Sequence, residues 1–218
     1  MKIEIISINA MSEGAEMLLT LQLSDDEGNR ERRKMLLFTN QYLELGLRKG
    51  MILDEDTFNS IERCSKECLA IRKGSDLLSY SSSSRKRLVS RLRNKGIDRE
   101  SAENAAKYLQ DVGAINEELD AERQVEICLH KLWGKKRIYR ELLAKGYERE
   151  YIVNALEDIS KEQLIENCVL LLKKKHKSIP EDSSIRKKIV GSLVRYGYSF
   201  DEIKCALEIV EADKKTEL

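Results

Sequence analysis

The sequence predicts a mainly α protein, namely three tandem three-helix repeats (an elongated helical repeat protein) behind a small β-containing N-terminal module. Three observations support this. Charged residues make up 35% of the 218 residues, aromatic residues only 6%, and proline occurs once, a composition that favours helices with wide solvated faces. A glycine-centred apolar pattern recurs three times after residue 58. Strand-like alternation of apolar and polar residues is confined to the segment before it.

The N-terminal module is predicted over 1–57. Residues 3–8 are short, apolar and rich in β-branched side chains, and leucines alternate with polar residues over 19–23, as in a half-buried strand. The polar run 25–29 contains Gly and Asn and predicts a turn, after which 34–39 returns as the next strand.

Charge is distributed unevenly, although the 39 basic and 38 acidic residues nearly cancel. Residues 1–57 carry seven basic and eleven acidic residues, whereas 58–218 carry 32 and 27. No stretch approaches eighteen apolar residues, and Met1–Glu4 does not begin a secretory signal, so neither a membrane span nor export is expected. Five scattered cysteines indicate reduced thiols, hence a cytoplasmic protein. They are Cys64, Cys68, Cys128, Cys168 and Cys205.

The repeat is aligned on Gly96, Gly146 and Gly197, which lie 50 and 51 residues apart. Apolar residues recur eight and four positions before each glycine and one, six, nine and ten positions after it. They are Leu88, Ile138 and Ile189; Leu92, Leu142 and Leu193; Ile97, Tyr147 and Tyr198; Ala102, Ile152 and Ile203; Ala105, Ala155 and Ala206; and Ala106, Leu156 and Leu207. The first pair predicts a helix that the glycine ends in the left-handed conformation, and the others predict a second helix. All three glycines are expected to act alike.

Each repeat has room for a third helix, for example over 117–132 and 161–175, which gives a unit of about fifty residues. The predicted repeats are 58–112, 113–160 and 161–218. Helix ends are marked by residues that cap or interrupt helices. These residues are Asp54, the polar run 79–84, Asp98, and Ser199 with Glu202.

Reactive groups are scarce, and the chain is predicted not to be an enzyme. It contains no metalloprotease, phosphate-cradling or serine-hydrolase motif. Cys64 and Cys68 lie one helical turn apart, but a complete zinc site needs two further ligands, so two packed thiols are the favoured interpretation. We therefore predict no catalytic residue, metal or cofactor. A cysteine-dependent enzyme or redox sensor at this pair is a third, less favoured hypothesis.

Basic triplets recur eleven to nine positions before each glycine. They are Arg85, Lys86 and Arg87; Lys135, Lys136 and Arg137; and Arg186, Lys187 and Lys188, with Arg91, Arg93, Arg140 and Arg195 nearby. Each triplet is predicted to open a helix, where positive charge opposes the helix dipole. An anion bound to the side chains and to free backbone amides would reverse that cost. A solvated face is the alternative for any one triplet, but recurrence at one offset favours a binding surface.

Either a nucleic-acid phosphate backbone or the acidic face of a protein could bind this basic surface. Aromatic residues near the triplets are few, namely Tyr80, Trp133 and Tyr139, so base stacking is not strongly indicated. The predicted second helices, 99–111 and 149–157, are mixed in charge and do not suit a DNA major groove.

Four segments, in order, resemble the RecX family, the bacterial regulators of the recombinase RecA. Residues 85–98 are similar to its first repeat, 135–147 to its second and 195–199 to its third. Residues 112–121 (Val-Gly-Ala-Ile-Asn-Glu-Glu-Leu-Asp-Ala) resemble its linking motif, with Asp120 where an aromatic residue is usual. The resemblance covers about 60–218. It extends loosely to the earlier residues, where 42–50 resembles the N-terminal extension of some members.

The resemblance implies a crescent of three-helix repeats, without catalytic activity, that lies in the groove of the RecA–DNA filament. Such proteins limit filament growth and so restrain strand exchange, ATP hydrolysis and the coprotease activity that triggers the SOS response. The expected partners are the RecA filament and single- or double-stranded DNA, bound weakly and without sequence specificity, by a monomer. The runner-up is a non-sequence-specific DNA-binding protein that acts independently of RecA.

Overall fold

The computed structural model describes residues 2–176 and 182–216, with side chains as far as residue 213. The predicted class is confirmed: a four-stranded sheet is followed by helices. In chain order the elements are β1 (Lys2–Met11), a 3-10 turn (Ser12–Gly14), β2 (Glu16–Ser24), β3 (Arg30–Phe38), α1 (Thr39–Glu44), β4 (Ile52–Leu53), α2 (Glu55–Tyr80), α3 (Arg85–Asn94), α4 (Arg99–Asp111), α5 (Glu117–His130), α6 (Lys135–Ala144), α7 (Arg149–Glu157), α8 (Lys161–Lys175), α9 (Ser183–Arg195) and α10 (Phe200–Thr216).

The sheet is antiparallel, in the order β3-β2-β1-β4. Alternate residues of its strands point to one face, where Ile5, Leu21 and Leu37 are fully buried. The predicted turn between β2 and β3 is confirmed, and the Asp25 carboxylate organises it by accepting the backbone N–H groups of Glu27 and Asn29 at 3.0 and 2.8 Å. The predicted returning strand begins four residues earlier than expected.

Helix α2 contributes to two apolar cores. Its first turns place Phe58 and Ile61 against the sheet, and its later turns place Ala70 and Ile71 among the core residues of α3 and α4. The Asp54 carboxylate caps its start, as predicted, by accepting the Thr57 N–H at 2.7 Å. The predicted edge of the N-terminal module at residue 57 thus falls inside a continuous helix.

Three helices fall in each predicted repeat, and the glycines end the first short helix of each hairpin. Gly96, Gly146 and Gly197 have φ of +83°, +87° and +97°. In all three repeats the residue after the glycine donates its backbone N–H to the carbonyl oxygen five residues earlier, at 3.2 to 3.3 Å. This is the Schellman closure that a left-handed glycine permits. The sequence pattern therefore predicted both the position and the conformation of these helix ends.

The backbone divides into two compact units. The first comprises residues up to 81 together with 88–115, and the second comprises 82–87 together with residues from 116 onward. The second unit has two successive cores, one formed by α5, α6 and α7 and the other by α8, α9 and α10. Over the residues that the structure describes, no helix is long and apolar enough to cross a membrane.

Within the second unit, α6 docks directly on the end of α9. The Gly134 N–H donates to the Tyr196 carbonyl at 2.8 Å, and the Lys136 N–H donates to the Gly197 carbonyl at 3.2 Å. A Cβ on Gly134 would lie 2.5 Å from the carbonyl carbon of Gly197, so both positions need glycine for the two backbones to approach this closely.

The same docking occurs one repeat earlier, again inside the second unit. Ser84 precedes Gly96 by the twelve residues that separate Gly134 from Gly146. Its hydroxyl donates to the Lys145 carbonyl at 2.7 Å, next to the glycine that ends α6. The start of one hairpin thus packs on the helix end of the next, and the first two basic triplets lie close to these junctions.

Candidate functional site

The first predicted triplet opens α3, as expected, and Arg85, Lys86 and Arg87 are all exposed. Two of the three backbone amides of this triplet are already hydrogen-bonded within the protein. The Arg85 N–H donates to a Glu117 carboxylate oxygen at 2.5 Å, and the Arg87 N–H donates to the Ser84 hydroxyl at 3.2 Å. Their side chains remain the groups that face solvent.

The second triplet opens α6, also as expected. Its amides are used as well, since the Lys136 N–H is bonded to Gly197 and the Arg137 N–H donates to the Gly134 carbonyl at 3.0 Å. The expectation of free amides therefore fails at four positions of these two helix starts. The Arg85 and Lys136 N–H groups are bonded to docked neighbours, and the Arg87 and Arg137 N–H groups to residues of their own hairpins. Positive charge here is carried by side chains.

The third triplet does not open its helix. α9 begins at Ser183, three residues before Arg186, because the Asp182 carboxylate accepts the Ser184 and Ile185 N–H groups at 2.7 and 3.3 Å. Arg186 is also committed, to an ion pair with Glu211 of α10. Lys187 and Lys188 are exposed on the second turn. Repeat alignment could not reveal this extra turn.

The other predicted cations differ in environment. Arg93, Arg140 and Arg195 are exposed, whereas Arg91 is half-buried and lies 3.4 Å from the Ser81 hydroxyl. The Nε–H of Arg140 donates to the carbonyl of Lys136 at 3.1 Å, which holds this arginine beside the second triplet.

Several of these cations line one shallow pocket of about 400 Å³ on α6 and α7. Lys135, Lys136 and Arg140 surround it together with Tyr139 and Leu156. Among the residues that the structure describes, none of the three cations has an ion-pair partner. Three positive charges without acidic partners around an apolar floor make the local potential positive, which attracts anionic groups.

Two buried carboxylates anchor the segment that leads into the first triplet. Asp120 is 5% exposed and accepts hydrogen bonds from the hydroxyls of Ser82 and Tyr147. Glu117 is 6% exposed and accepts the Arg85 N–H. This explains how an acid occupies position 120, where the family resemblance predicts an aromatic residue: its carboxylate is satisfied by two hydroxyl donors.

Tyr147→Phe should destabilise the chain by about 1–2 kcal/mol, because the buried Asp120 carboxylate loses one donor and keeps only the Ser82 hydroxyl. Thermal unfolding would show this as a lower Tm. Tyr139→Phe is the matched control, since the structure gives that hydroxyl no hydrogen-bond partner among the described residues. Equal melting of both variants would mean that the Asp120 network does not stabilise the fold.

Glu117→Gln should raise Tm at neutral pH. Burial, with Glu148 nearby, raises the pKa of Glu117 above its usual 4.5. The stability this group contributes is present while it is protonated and is lost as pH rises through its folded pKa. Glutamine stays neutral and still accepts the Arg85 N–H, so its advantage should shrink as pH falls toward 4.5. Glu118→Gln, which neutralises an exposed acid of the same helix turn, is the control and should leave Tm nearly unchanged at neutral pH. A wild-type chain more stable than Glu117→Gln at neutral pH would contradict this.

Lys131 and Lys175 were not predicted as site residues, because they lie outside the triplets in sequence, but they join the predicted Arg137 in a second group of cations. The Arg137 guanidinium lies 3.9 Å from the ring centroid of Trp133 and 4.9 Å from that of Tyr196. The ammonium groups of Lys131 and Lys175 lie 5.3 Å from Trp133 and 4.0 Å from Tyr196. The sequence proximity of Trp133 and Arg137 was a weak signal for the first contact, but the contact with Tyr196 depends on how α6 docks on α9.

The cysteine pair is packed rather than activated. Cys68 is buried, and burial together with the nearby Glu16 carboxylate raises the pKa of its thiol to about 12. Burial also raises the pKa of Cys64. Such thiols stay protonated at neutral pH, whereas a nucleophilic cysteine needs a lowered pKa.

Comparisons with known proteins match the chain to regulatory proteins named RecX. It is 31% identical over 178 residues to that of Bacillus cereus (strain AH820), covering 79% of this chain and 65% of the relative. It is 28% identical over 195 residues to that of Bacillus mycoides, covering 88% and 72%, and 28% identical over 168 residues to that of Listeria monocytogenes serotype 4b, covering 73% and 61%. The chain thus spans slightly less than two thirds of the Bacillus cereus and Listeria relatives. No family model matches.

Solved structures agree with these matches. A crystal structure of regulatory protein RecX superposes with a TM-score of 0.73 at 22% identity, covering 94% of this chain and 99% of the other, which shows a common fold. RecX from Lactobacillus salivarius superposes with a TM-score of 0.60 at 25% identity, covering 67% and 97%. With sequence similarity over most of its length and a shared fold, the chain belongs to the RecX family.

Proposed function

We propose that this chain regulates RecA by binding the RecA nucleoprotein filament, and that it mainly inhibits the recombinase, ATPase and coprotease activities of that filament. It would thereby act in DNA recombination and repair and in the SOS response, as a cytoplasmic monomer that needs no cofactor. Membership of a family whose curated relatives are named regulatory proteins supports this function.

One observation carries the proposal for this chain itself. Lys135, Lys136 and Arg140 converge on one pocket without compensating acids among the described residues. A filament coated with nucleic acid presents regularly spaced negative charge, and electrostatic complementarity speeds and orients its encounter with such a surface.

The proposed filament- and DNA-binding face comprises the cations predicted from the sequence. They are Arg85, Lys86, Arg87, Arg91, Arg93, Lys135, Lys136, Arg137, Arg140, Arg186, Lys187, Lys188 and Arg195. Within this set, the exposed cations without ion pairs are expected to dominate binding, whereas Arg186 is occupied by Glu211. Arg137 is expected to act through the aromatic rings that it covers.

The test is ATP hydrolysis by purified RecA on single-stranded DNA, with and without the chain. At less than one molecule per RecA subunit, the chain should lower the steady-state rate of ATP hydrolysis several-fold. The reason is that one bound regulator affects many RecA subunits of a growing filament. The proposal fails if the rate is unchanged at equimolar chain under low salt, where electrostatic binding is strongest.

A non-sequence-specific DNA-binding protein that acts without RecA is the second candidate, and the same pocket favours it because phosphate groups suit uncompensated lysines. Anisotropy of a labelled oligonucleotide, measured without RecA, separates the two. Tight binding to bare DNA with no effect on RecA would favour this candidate, and weak binding with strong inhibition would favour the filament regulator.

A further inference from the structure

A cluster of cations and aromatic rings lies where α6 meets the end of α9, apart from the pocket of Lys135 and Arg140. Lys131 and Arg137 cover the indole ring of Trp133, and Arg137 and Lys175 cover the phenol ring of Tyr196. Beside it lies a cavity of about 290 Å³, lined among others by His130, Lys174 and Leu171.

The cations of this cluster are not neutralised. Among the residues that the structure describes, Lys131, Arg137 and Lys175 have no ion-pair partner. Lys175 and Arg137 interact with the Tyr196 hydroxyl and hold its pKa below the usual value, as expected in a positive field. The aromatic rings hold these cations in position, because a cation–π contact restrains a cation without cancelling its charge.

Three properties of the cluster select its ligand. A stacked guanidinium uses its face and leaves its in-plane N–H donors for an anion. The lysine ammoniums can each donate to further oxygens. If an anion draws Arg137 or Lys131 away from Trp133, the ring face becomes free for a base, and alternation of basic and aromatic groups is typical of single-strand binding. A carboxylate ligand would gain nothing from the rings.

We propose that the cluster formed by Lys131, Trp133, Arg137, Lys175 and Tyr196, with Lys174 beside it, is a phosphate-binding site for single-stranded nucleic acid. This inference rests on the proposed function in one respect: it takes the strand to be the DNA of the RecA filament. Binding itself can be measured without RecA, so the site and the proposed function can fail separately.

Trp133 is the chain's one tryptophan and reports directly on the site. A short oligodeoxythymidylate added to the full chain should change the tryptophan fluorescence saturably. The Lys174→Ala/Lys175→Ala variant should raise the apparent Kd at least about tenfold, since losing even one of the two charge-assisted contacts costs roughly that factor. Its binding should also fall less steeply with salt, because fewer counterions are released.

Lys161→Ala/Lys204→Ala is the matched control, because it removes two exposed lysines from α8 and α10 that do not line the cavity. It should bind like the wild type. If the control weakens binding equally, general charge explains the effect and the site is refuted. The control should melt like the wild type, whereas the double variant also loses the Lys175–Tyr196 cation–π contact and should melt slightly lower. Lys174→Ala alone keeps that contact, so it tests binding without this loss of stability.

Further ligands separate the sources of phosphate. A fluorescence change with inorganic phosphate or a nucleoside triphosphate, at concentrations similar to those of the oligonucleotide, would overturn the single strand as the ligand in favour of a free phosphate or nucleotide. A response to an oligoglutamate peptide but to no phosphate ligand would overturn the proposal in favour of an acidic protein segment. Absence of any response would also overturn it.

Discussion

Gly197→Ala should destabilise the chain by about 2–4 kcal/mol, the sum of a left-handed alanine and an overpacked junction. At φ +97° an added Cβ would lie 2.4 Å from the backbone nitrogen of Arg137 and 2.6 Å from the carbonyl oxygen of Gly134. Both are backbone atoms and cannot rotate away. For a chain of this size, Tm should fall by about 5–12 °C.

The other two glycines form a graded control. Gly96 shares the left-handed conformation but has open space where its Cβ would lie, so Gly96→Ala should cost only about 1 kcal/mol. At Gly146 the nearest atoms, at 3.1 Å, are the Lys86 Cβ and the Ser84 hydroxyl oxygen, so the loss there should be intermediate. Equal losses at all three positions would show that junction packing contributes nothing and that the conformational cost is the whole effect.

This series shows how far the sequence could predict the fold. The repeat pattern predicted all three glycines as helix ends because φ preference and helical periodicity are local properties. It also predicted them to act alike. They differ because the close contact at Gly197 is made with residues some sixty positions away in the sequence, and a local pattern does not record what docks against it.

The candidate site divides in the same way. The starts of α3 and α6 at Arg85 and Lys135 were predictable from the triplets. The occupation of the Arg85 and Lys136 amides was not, since their acceptors come from the docked neighbour. The start of α9 was missed because Asp182, rather than the repeat, sets it. The Arg137–Tyr196 contact likewise needed the packing of one repeat on the next.

Reversal of Lys135, Lys136 and Arg140 to glutamate should weaken inhibition of RecA by at least about tenfold, because several charge-assisted contacts become repulsive. The fold should persist. These side chains line a shallow pocket and, within the described part of the chain, have no ion pairs to lose. Acids near the start of α6 also suit the helix dipole, so Tm should stay level or rise slightly.

Arg137 is left unchanged in this variant for a structural reason. Its guanidinium covers Trp133 and Tyr196, so Arg137→Glu would remove two cation–π contacts, at a cost of about 1–2 kcal/mol, and would confound binding with stability. The matched control reverses Arg149, Lys161 and Lys204, which are exposed cations of the same unit outside the pocket; two of them also open helices.

The pair of variants separates the competing explanations. Loss of inhibition only in the Lys135, Lys136 and Arg140 variant would place filament binding at this pocket. An equal loss in the control variant would mean that the change in net charge alone explains the weaker inhibition. If the pocket variant loses binding to bare DNA but still inhibits RecA, the pocket serves DNA and the RecA contact lies on other residues. If neither activity changes, the uncompensated cations are a solvated surface, and the face proposed for repeat 2 is wrong.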